Sequence, residues 1–491
     1  MTQFRRHSNG EVLSLSTEQK LGGGGEGTIY SVASDPLLAA KIYHKPGAEQ
    51  QEKLLAMYAN PPDDPMRSKG HASIAWPVDL LYSNEPESRN RVLGFLMPRV
   101  QDTFPVIDMF VPRSRLEKCP LFTYQYLHRA ARNIAVAVAA LHSRGYVVGD
   151  INESNILVTT SALVTLVDTD SFQVRTSAGR VFRCGVGKAE FTPPEIQGIN
   201  LRDVDRTPAQ DLFGLSVLIF QMLMEGAHPY NGQYLGEGDP PGIATRIQRG
   251  WFPYGGVQGE FRPPPSAPDF EMLDPEIRAL FLACFVDGYT TPGRRPTALT
   301  WMQALESAEG RLRACRRNRQ HRYGKHLKSC PWCARAQKLG GRDYYPSKRA
   351  VDAAEHLTPV VPKQTALPPL QSSSAPATPS TLSASAPKPR TGSRKPSPTS
   401  STAVPNWVLR WEDWAKRHHA VYAAICAGIG CGLLGGLRYL CSKVLPEMRG
   451  WMTHYSPVGN RESLSLAIIS LVVGGIAITW GVLAIRFAKR K

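Results

Sequence analysis

A run of glycines near the start of the chain lies between two strand-like segments, and this order narrows the fold more than any other feature. Leu21-Gly22-Gly23-Gly24-Gly25-Glu26-Gly27 is followed by Thr28-Ile29-Tyr30-Ser31-Val32, a β-branched and aromatic stretch that predicts a second strand. Glycines let a backbone turn tightly, reach positive φ and come close to phosphate oxygens. Gly22, Gly24 and Gly27 are therefore candidates for a phosphate cradle. A dinucleotide fingerprint would need a helix directly after the glycines, whereas a strand there predicts a β-turn-β flap.

Fourteen residues past Gly27, Lys41 lies inside the apolar strand Leu38-Ala39-Ala40-Lys41-Ile42-Tyr43. A buried ammonium needs an anionic partner. Lys41 fits a lysine that holds α/β-phosphates, and its carboxylate partner is expected on the next helix, over 48–57. Glu52 is the choice there and Glu49 the rival. Met97 and Arg99, further along, are assigned to the same nucleotide site.

Residues 124–142 carry Leu127, Ala131, Ile134, Val138 and Leu141 at helical spacing, which predicts a core-facing helix. It leads into Gly149-Asp150-Ile151-Asn152-Glu153-Ser154-Asn155. Asp150 offers a carboxylate to take a hydroxyl proton, and Asn155 an amide oxygen to bind Mg²⁺. A short hairpin then ends in Val164-Thr165-Leu166-Val167-Asp168, and an aspartate closing a buried strand suits the main Mg²⁺ ligand. One Asp or Asn in a loop is usually a turn residue. Three in this order, downstream of the glycine turn and the strand lysine, predict a reacting centre.

With these residues in place the chain resembles a protein kinase. Phe191-Thr192-Pro193-Pro194-Glu195 resembles the end of an activation segment, and Asp211-Leu212-Phe213-Gly214-Leu215 the helix whose aspartate braces the catalytic loop. Arg294-Arg295-Pro296-Thr297 resembles the late arginine that pairs with Glu195. The wording of 149–155, of Asp168-Thr169-Asp170-Ser171-Phe172, of 191–195 and of Cys330-Pro331-Trp332-Cys333 is similar to one bacterial group. These are protein kinase-like proteins often described as helix-hairpin-helix proteins with a kinase domain, some of them associated with tellurite-resistance loci. No helix-hairpin-helix segment is visible here. The resemblance spans about 10–346 and implies an α+β, bilobal protein-kinase-like fold over 10–306. It also implies ATP and Mg²⁺ (or Mn²⁺) as cofactors and Lys41, Asp150, Asn155 and Asp168 as catalytic residues. Phosphoryl transfer to Ser/Thr of a protein substrate and a partner phosphatase follow from it as expectations.

The pattern departs from most protein kinases around the loop. Val148 and Gly149 replace His-Arg, so no loop arginine reads a phosphorylated activation segment. Asn152 replaces the lysine that neutralises the transferring phosphoryl group, and Asp170 replaces a glycine. A Gly-Asp loop with a second acid also resembles small-molecule kinases of the choline and aminoglycoside type. A pseudokinase that binds ATP and signals by conformation is the other alternative. Glu195, Asp211 and Arg295, which shape a protein-substrate platform, favour a protein kinase.

Of a formal charge of +17, most is local: residues 311–350 hold thirteen Lys/Arg against one acid, Asp343. The same zone holds Cys315, His321, His326, Cys330 and Cys333, and a two-residue gap lets both thiols of a knuckle reach one Zn²⁺. A zinc-type module over 307–346 is expected, with His321 or His326 as fourth ligand. Its basic face would meet anionic lipid, with nucleic acid the less favoured partner. A redox role for Cys330 and Cys333 lacks the surrounding thioredoxin-like pattern.

Residues 347–405 are rich in Pro, Ser, Thr and Ala and predict a disordered linker. Two apolar runs follow, 420–437 without a charge and 463–485. At about 1.5 Å rise per residue each can cross a hydrocarbon core of about 30 Å. A transmembrane hairpin, 420–441 and 463–485, is expected, with both ends and the kinase-like domain in the cytoplasm of a bacterial inner membrane. Gly428, Gly432 and Gly436 recur every fourth residue, a spacing that lets helices dimerise. Residues 1–8 carry no apolar run, so no secretory signal is expected.

Overall fold

The structure is a computed structural model that describes residues 2–256 and 259–358. Its first lobe is an antiparallel sheet of seven strands: β1 (Thr2–Arg6), β2 (Val12–Leu15), β3 (Lys20–Gly23), β4 (Gly27–Ser31), β5 (Leu38–Tyr43), β6 (Asp79–Ser83) and β7 (Val92–Pro98). Their order across the sheet is β2-β1-β6-β7-β5-β4-β3. Successive side chains in a strand point to opposite faces, and the sequence uses both. Ala40, Leu81 and Leu96 join Phe4, Leu13 and Leu15 in a small core on one face. Tyr43, Leu80 and Phe95 point the other way, into the main core with Leu54 and Met57 of helix α1 (Ala48–Ala59). Leu80 and Leu81 are both fully buried, each stabilising the fold by about 2 kcal/mol.

The second lobe begins with β8 (Thr103–Pro105), α2 (Val106–Phe110), α3 (Pro112–Lys118) and α4 (Tyr124–Ser143). Leu127, Ala131, Ile134, Val138 and Leu141 of α4 are all buried, as their spacing predicts. Strand β9 (Ile156–Thr159) pairs with both β8 and β10 (Val164–Leu166) in a small sheet, and the loop 149–155 leads into β9. A two-stranded ribbon follows, β11 (Val174–Arg175) and β12 (Val181–Phe182). Helix α5 (Pro208–Leu223) is apolar nearly all round, with twelve of its sixteen residues buried, so it occupies the lobe centre. Around it lie α6 (Ile243–Gln248), the ribbon β13 (Gln233–Tyr234) and β14 (Phe261–Arg262), α7 (Pro275–Leu282), α8 (Gly288–Thr290) and α9 (Ala298–Gly310). Trp301 of α9 is fully buried and donates its indole N–H to Ser216 Oγ of α5 at 3.1 Å.

After α9 come the hairpin β15 (Leu312–Ala314) and β16 (Arg322–Gly324), then α10 (Pro331–Lys338) and α11 (Lys348–Asp352). Three boundaries differ from the sequence reading. β1 pairs with β2 and β6, so the sheet starts at Thr2 rather than near residue 10. Helix α9 runs through the expected break at 306, because Ala304, Leu305 and Ala308 share one buried face. Residues 347–358, expected as linker, contain α11 and a turn of 3₁₀-helix over Glu355–Leu357. The two apolar runs lie outside the described residues. Among the described residues no helix is long and apolar enough to cross a membrane.

Candidate active site

Lys41 on β5 is buried to 8% exposure, and its ammonium reaches two carboxylates. Nζ lies 2.8 Å from Asp168 Oδ1 and 2.6 Å from Asp170 Oδ1, while Tyr43 Oη donates to Asp170 Oδ2 at 2.8 Å. Burial pulls the ammonium's pKa down, but the Asp170 and Asp168 charges outweigh it and hold Lys41 above its ordinary value. Burial and the Asp170 charge push the Tyr43 phenol far up, so it stays a donor. Glu52 does not take part: it is exposed and pairs with Arg180. The acid two residues after Asp168 reaches the lysine first, and α1 turns Lys53 toward this region, where burial lowers its pKa.

The loop after α4 is held by its own amides. Asn155 Nδ2 donates to Asp150 Oδ2 at 3.0 Å and to the Asp150 carbonyl at 3.1 Å. That fixes the amide so that Asn155 Oδ1 is left without a hydrogen-bond donor among the described residues. Asp150 Oδ1 is buried and has no hydrogen-bond partner among the described residues either. Asn152 is 1% exposed and is spent on the loop: Nδ2 donates to the Asp150 carbonyl at 3.1 Å, and Oδ1 accepts from the Ser154 N–H at 2.8 Å. Asp168 has φ of 59°, a left-handed conformation rare outside glycine, which turns its carboxylate from the end of β10 toward Lys41.

Behind the loop, Asp211 of α5 is buried and fully engaged. Its Oδ2 and Oδ1 accept the Val148 and Gly149 N–H groups, each at 2.7 Å, and His142 Nε2 donates to Oδ2 at 2.9 Å. Glu195 and Arg295 form a two-pronged pair, both N···O distances 2.7 Å. Arg295 also donates to the Ala209 and Gly288 carbonyls, so four of the five N–H groups of this buried guanidinium are engaged.

Residues 15–240 match the protein kinase domain family. Over these residues the chain is protein kinase-like. Curated relatives are the Protein kinase YegI of Escherichia coli K12 and of E. coli O157:H7, 35% and 34% identical over 330 residues. Each alignment covers 67% of this chain and 49% of the relative, so the chain spans about half the length of the curated relatives it matches. Among solved structures, the ROP18 kinase domain in complex with AMP-PNP and sucrose is 18% identical, with a TM-score of 0.41, covering 62% of this chain and 84% of that one.

Within the kinase-like domain the glycine turn lies between β3 and β4, as expected, but none of its glycines has positive φ. Gly27 is required for another reason: a Cβ there would sit 2.6 Å from the Ile42 carbonyl oxygen of β5. Gly22 and Gly24 face open space, which leaves room for a ligand against the backbone. Met97 lies near the end of β7 opposite Ala39 of β5, and Arg99 donates its N–H to the Leu37 carbonyl at 2.7 Å. Both therefore stand where the chain passes between the lobes.

The kinase-like domain is followed directly by the cysteine centre. Cys315, His321, Cys330 and Cys333 bring their ligand atoms within 4.8 Å of one another. His321 Nδ1 is 3.5 Å from both Cys330 Sγ and Cys333 Sγ, and Cys315 Sγ is 3.7 Å from Cys333 Sγ. Thiolates about 2.3 Å from a tetrahedral Zn²⁺ stand about 3.7 Å apart, so the donor set fits. Asp343 accepts from His321 Nε2 at 2.9 Å, which leaves Nδ1 unprotonated toward the thiols. His326 is directed elsewhere, toward the Glu271 carbonyl at 3.4 Å. Burial pushes the Cys315 thiol up, but the Asn318 and Arg317 N–H groups and the neighbouring thiols bring it to about 7.

The centre is docked on the kinase-like domain rather than free. Trp332, 2% exposed, packs edge-on against Tyr124 of α4 with ring centroids 4.8 Å apart, and tilted against Tyr345 at 4.6 Å. Arg335 pairs with Glu225 at 2.5 Å and Arg311 with Asp274 at 2.8 Å. Part of the basic excess thus serves internal contacts instead of an open anion-binding face.

Four residues in contact with the site were not anticipated from sequence: Tyr43, His142, Arg206 and Lys188, whose Nζ lies 2.8 Å from Glu153 Oε1. Arg206 donates to the Gly149 carbonyl and, at 2.6 Å, to the Val186 carbonyl, tying catalytic loop to activation segment without a loop arginine. Its only sequence signal is a charge just before the capped start of α5, which is too common to single out.

Proposed function

We propose that this chain transfers the γ-phosphoryl group of ATP to Ser/Thr hydroxyls of protein substrates. The observation that carries this reading is the buried Asp150 Oδ1, without a partner among the described residues and beside Asn155, in a chain that also joins Lys41 to Asp168. Asp150 is read as the acceptor of the hydroxyl proton. Lys41 is read as the cation that holds the α/β-phosphates. Asn155 Oδ1 and Asp168 are the residues to hold Mg²⁺ (or Mn²⁺), which when bound neutralises charge on the phosphates. The Glu195–Arg295 pair supports a platform for a protein substrate over a small molecule.

The cysteine centre is read as a structural Zn²⁺ site, supported by its donor distances and the Asp343 hydrogen bond. The runs 420–441 and 463–485 are read as a membrane hairpin with the kinase-like domain on the cytoplasmic side. Anionic lipid at the basic module, dimerisation through Gly428, Gly432 and Gly436, and a partner phosphatase belong to the same reading.

Incubating the full chain with γ-labelled ATP, Mg²⁺ and casein tests the activity, with acid-stable phosphoserine or phosphothreonine as the expected product. ATP binding without transfer would favour a pseudokinase, and label on a small molecule alone would overturn the protein-substrate reading. Retention in membranes after alkaline carbonate extraction tests the anchor.

A further inference from the structure

Phosphoryl transfer concentrates negative charge on the transferring group, and a cation aimed at that charge lowers the barrier. Lys41 sits on the phosphate side of the cleft, tied to Asp168 and Asp170. Asn152 is neutral, buried and hydrogen-bonded at both ends within its own loop, so it offers nothing to the phosphoryl group. The loop therefore lacks a cation of its own.

Lys188 supplies one from outside. Its Nζ lies 2.7 Å from Ser154 Oγ and 2.8 Å from Glu153 Oε1, both between Asp150 and Asn155 in the chain. Among the described residues it is the one Lys or Arg whose side chain bonds to side chains of this loop. Its backbone is well fixed: the Lys188 carbonyl accepts from the Phe191 N–H at 2.9 Å and from Thr192 Oγ1 at 2.8 Å, and Phe191 is buried. The ammonium itself is part-exposed on a flexible four-carbon stem, and both its partners lie within four residues of Asp150 in the chain.

We propose that Lys188 is a further catalytic residue, carrying the charge on the transferring γ-phosphoryl group that the loop itself does not provide. This rests on the kinase reading above. The acceptor hydroxyl oxygen bonds to Pγ while the bond from Pγ to the bridging oxygen breaks, releasing ADP. The hydroxyl proton passes to Asp150. Lys188 exchanges no proton in this step and contacts the equatorial oxygens of the group in flight. Because Lys188 belongs to the activation segment, the site is complete only when that segment is seated on the loop, and no phosphorylation is needed to read it.

The test uses the full chain carrying Lys188→Gln or Lys188→Arg. With ATP, Mg²⁺ and casein, Lys188→Gln is expected to lose about 100-fold in kcat with little change in the KM for ATP, and Lys188→Arg to recover part of it. Binding of ADP with Mg²⁺ and aluminium fluoride, a mimic of the charge in flight, should weaken by a similar factor while binding of ADP alone does not. A purely structural lysine would not separate those two ligands. Unchanged kcat in Lys188→Gln, or equal weakening of ADP and its fluoride complex, overturns the assignment while leaving the kinase reading intact. No transfer by the unaltered chain overturns both.

Discussion

Lys41 Nζ and Asp170 Oδ1 meet at 2.6 Å, joining a strand of the first lobe to the segment that follows β10 in the second. Asp170 takes the part expected of Glu52, and the two acids should respond differently to removal of charge. Asp170→Asn leaves the buried ammonium half-compensated and should cost on the order of 3 kcal/mol of stability. Glu52→Gln breaks only an exposed pair and should cost below about 1 kcal/mol. Urea unfolding of the two variants measures the contrast, and equal losses would return Glu52 to the site.

Gly149 has φ of 76°, and a Cβ there would lie 2.7 Å from Cys184 Sγ and 2.9 Å from Arg206 Nη1. Gly149→Ala should therefore destabilise the chain by about 1–3 kcal/mol, seen as a lower Tm. Gly149→Arg, which introduces the side chain most protein kinases carry there, should be worse still. A tolerated arginine would show that the pocket yields.

The cysteine centre predicts a graded response. His321→Ala should abolish stoichiometric zinc in metal analysis of purified protein, whereas His326→Ala should not. Asp343→Asn keeps the ligands but weakens their orientation, lowering zinc affinity about 10-fold. Because Trp332 packs on α4, a chelator should also lower the Tm of the kinase-like domain.

His228 Nε2 donates to the Glu190 carbonyl at 2.9 Å, and burial lowers its pKa from 6.5 to about 4. Between these values the unfolded chain binds a proton that the folded chain does not. The stability this histidine contributes is present above pH 6.5 and is lost as pH falls toward 4. Tm measured across that window should fall less steeply in His228→Gln than in the unaltered chain.

The order of elements was legible because each rests on a local pattern. The glycine turn is flanked by β-branched residues, α4 repeats at helical spacing, and Asp168 ends an apolar strand. Long-range pairs were legible only where motif wording names both partners, as for Glu195 and Arg295. The partner of Lys41 was not, because helix periodicity on α1 says nothing of an acid 129 residues from the lysine. The choice between His321 and His326 depended likewise on hairpin β15–β16, whose register brings the Cys315 N–H onto the His321 carbonyl at 3.0 Å. Lys188 and Arg206 escaped notice because a single charge in an irregular segment carries no periodicity.

The double grip of Asp168 and Asp170 on Lys41 makes nucleotide entry a substitution rather than a filling. Two of the ammonium's three N–H donors are already held by carboxylate oxygens, so a phosphate that takes more than the third must displace one of them. Affinity for ATP is then set by a difference between two sets of anions, and the displaced Asp168 oxygen becomes available to Mg²⁺ in the same event. On these grounds nucleotide and metal should bind cooperatively, each vacating the place the other needs.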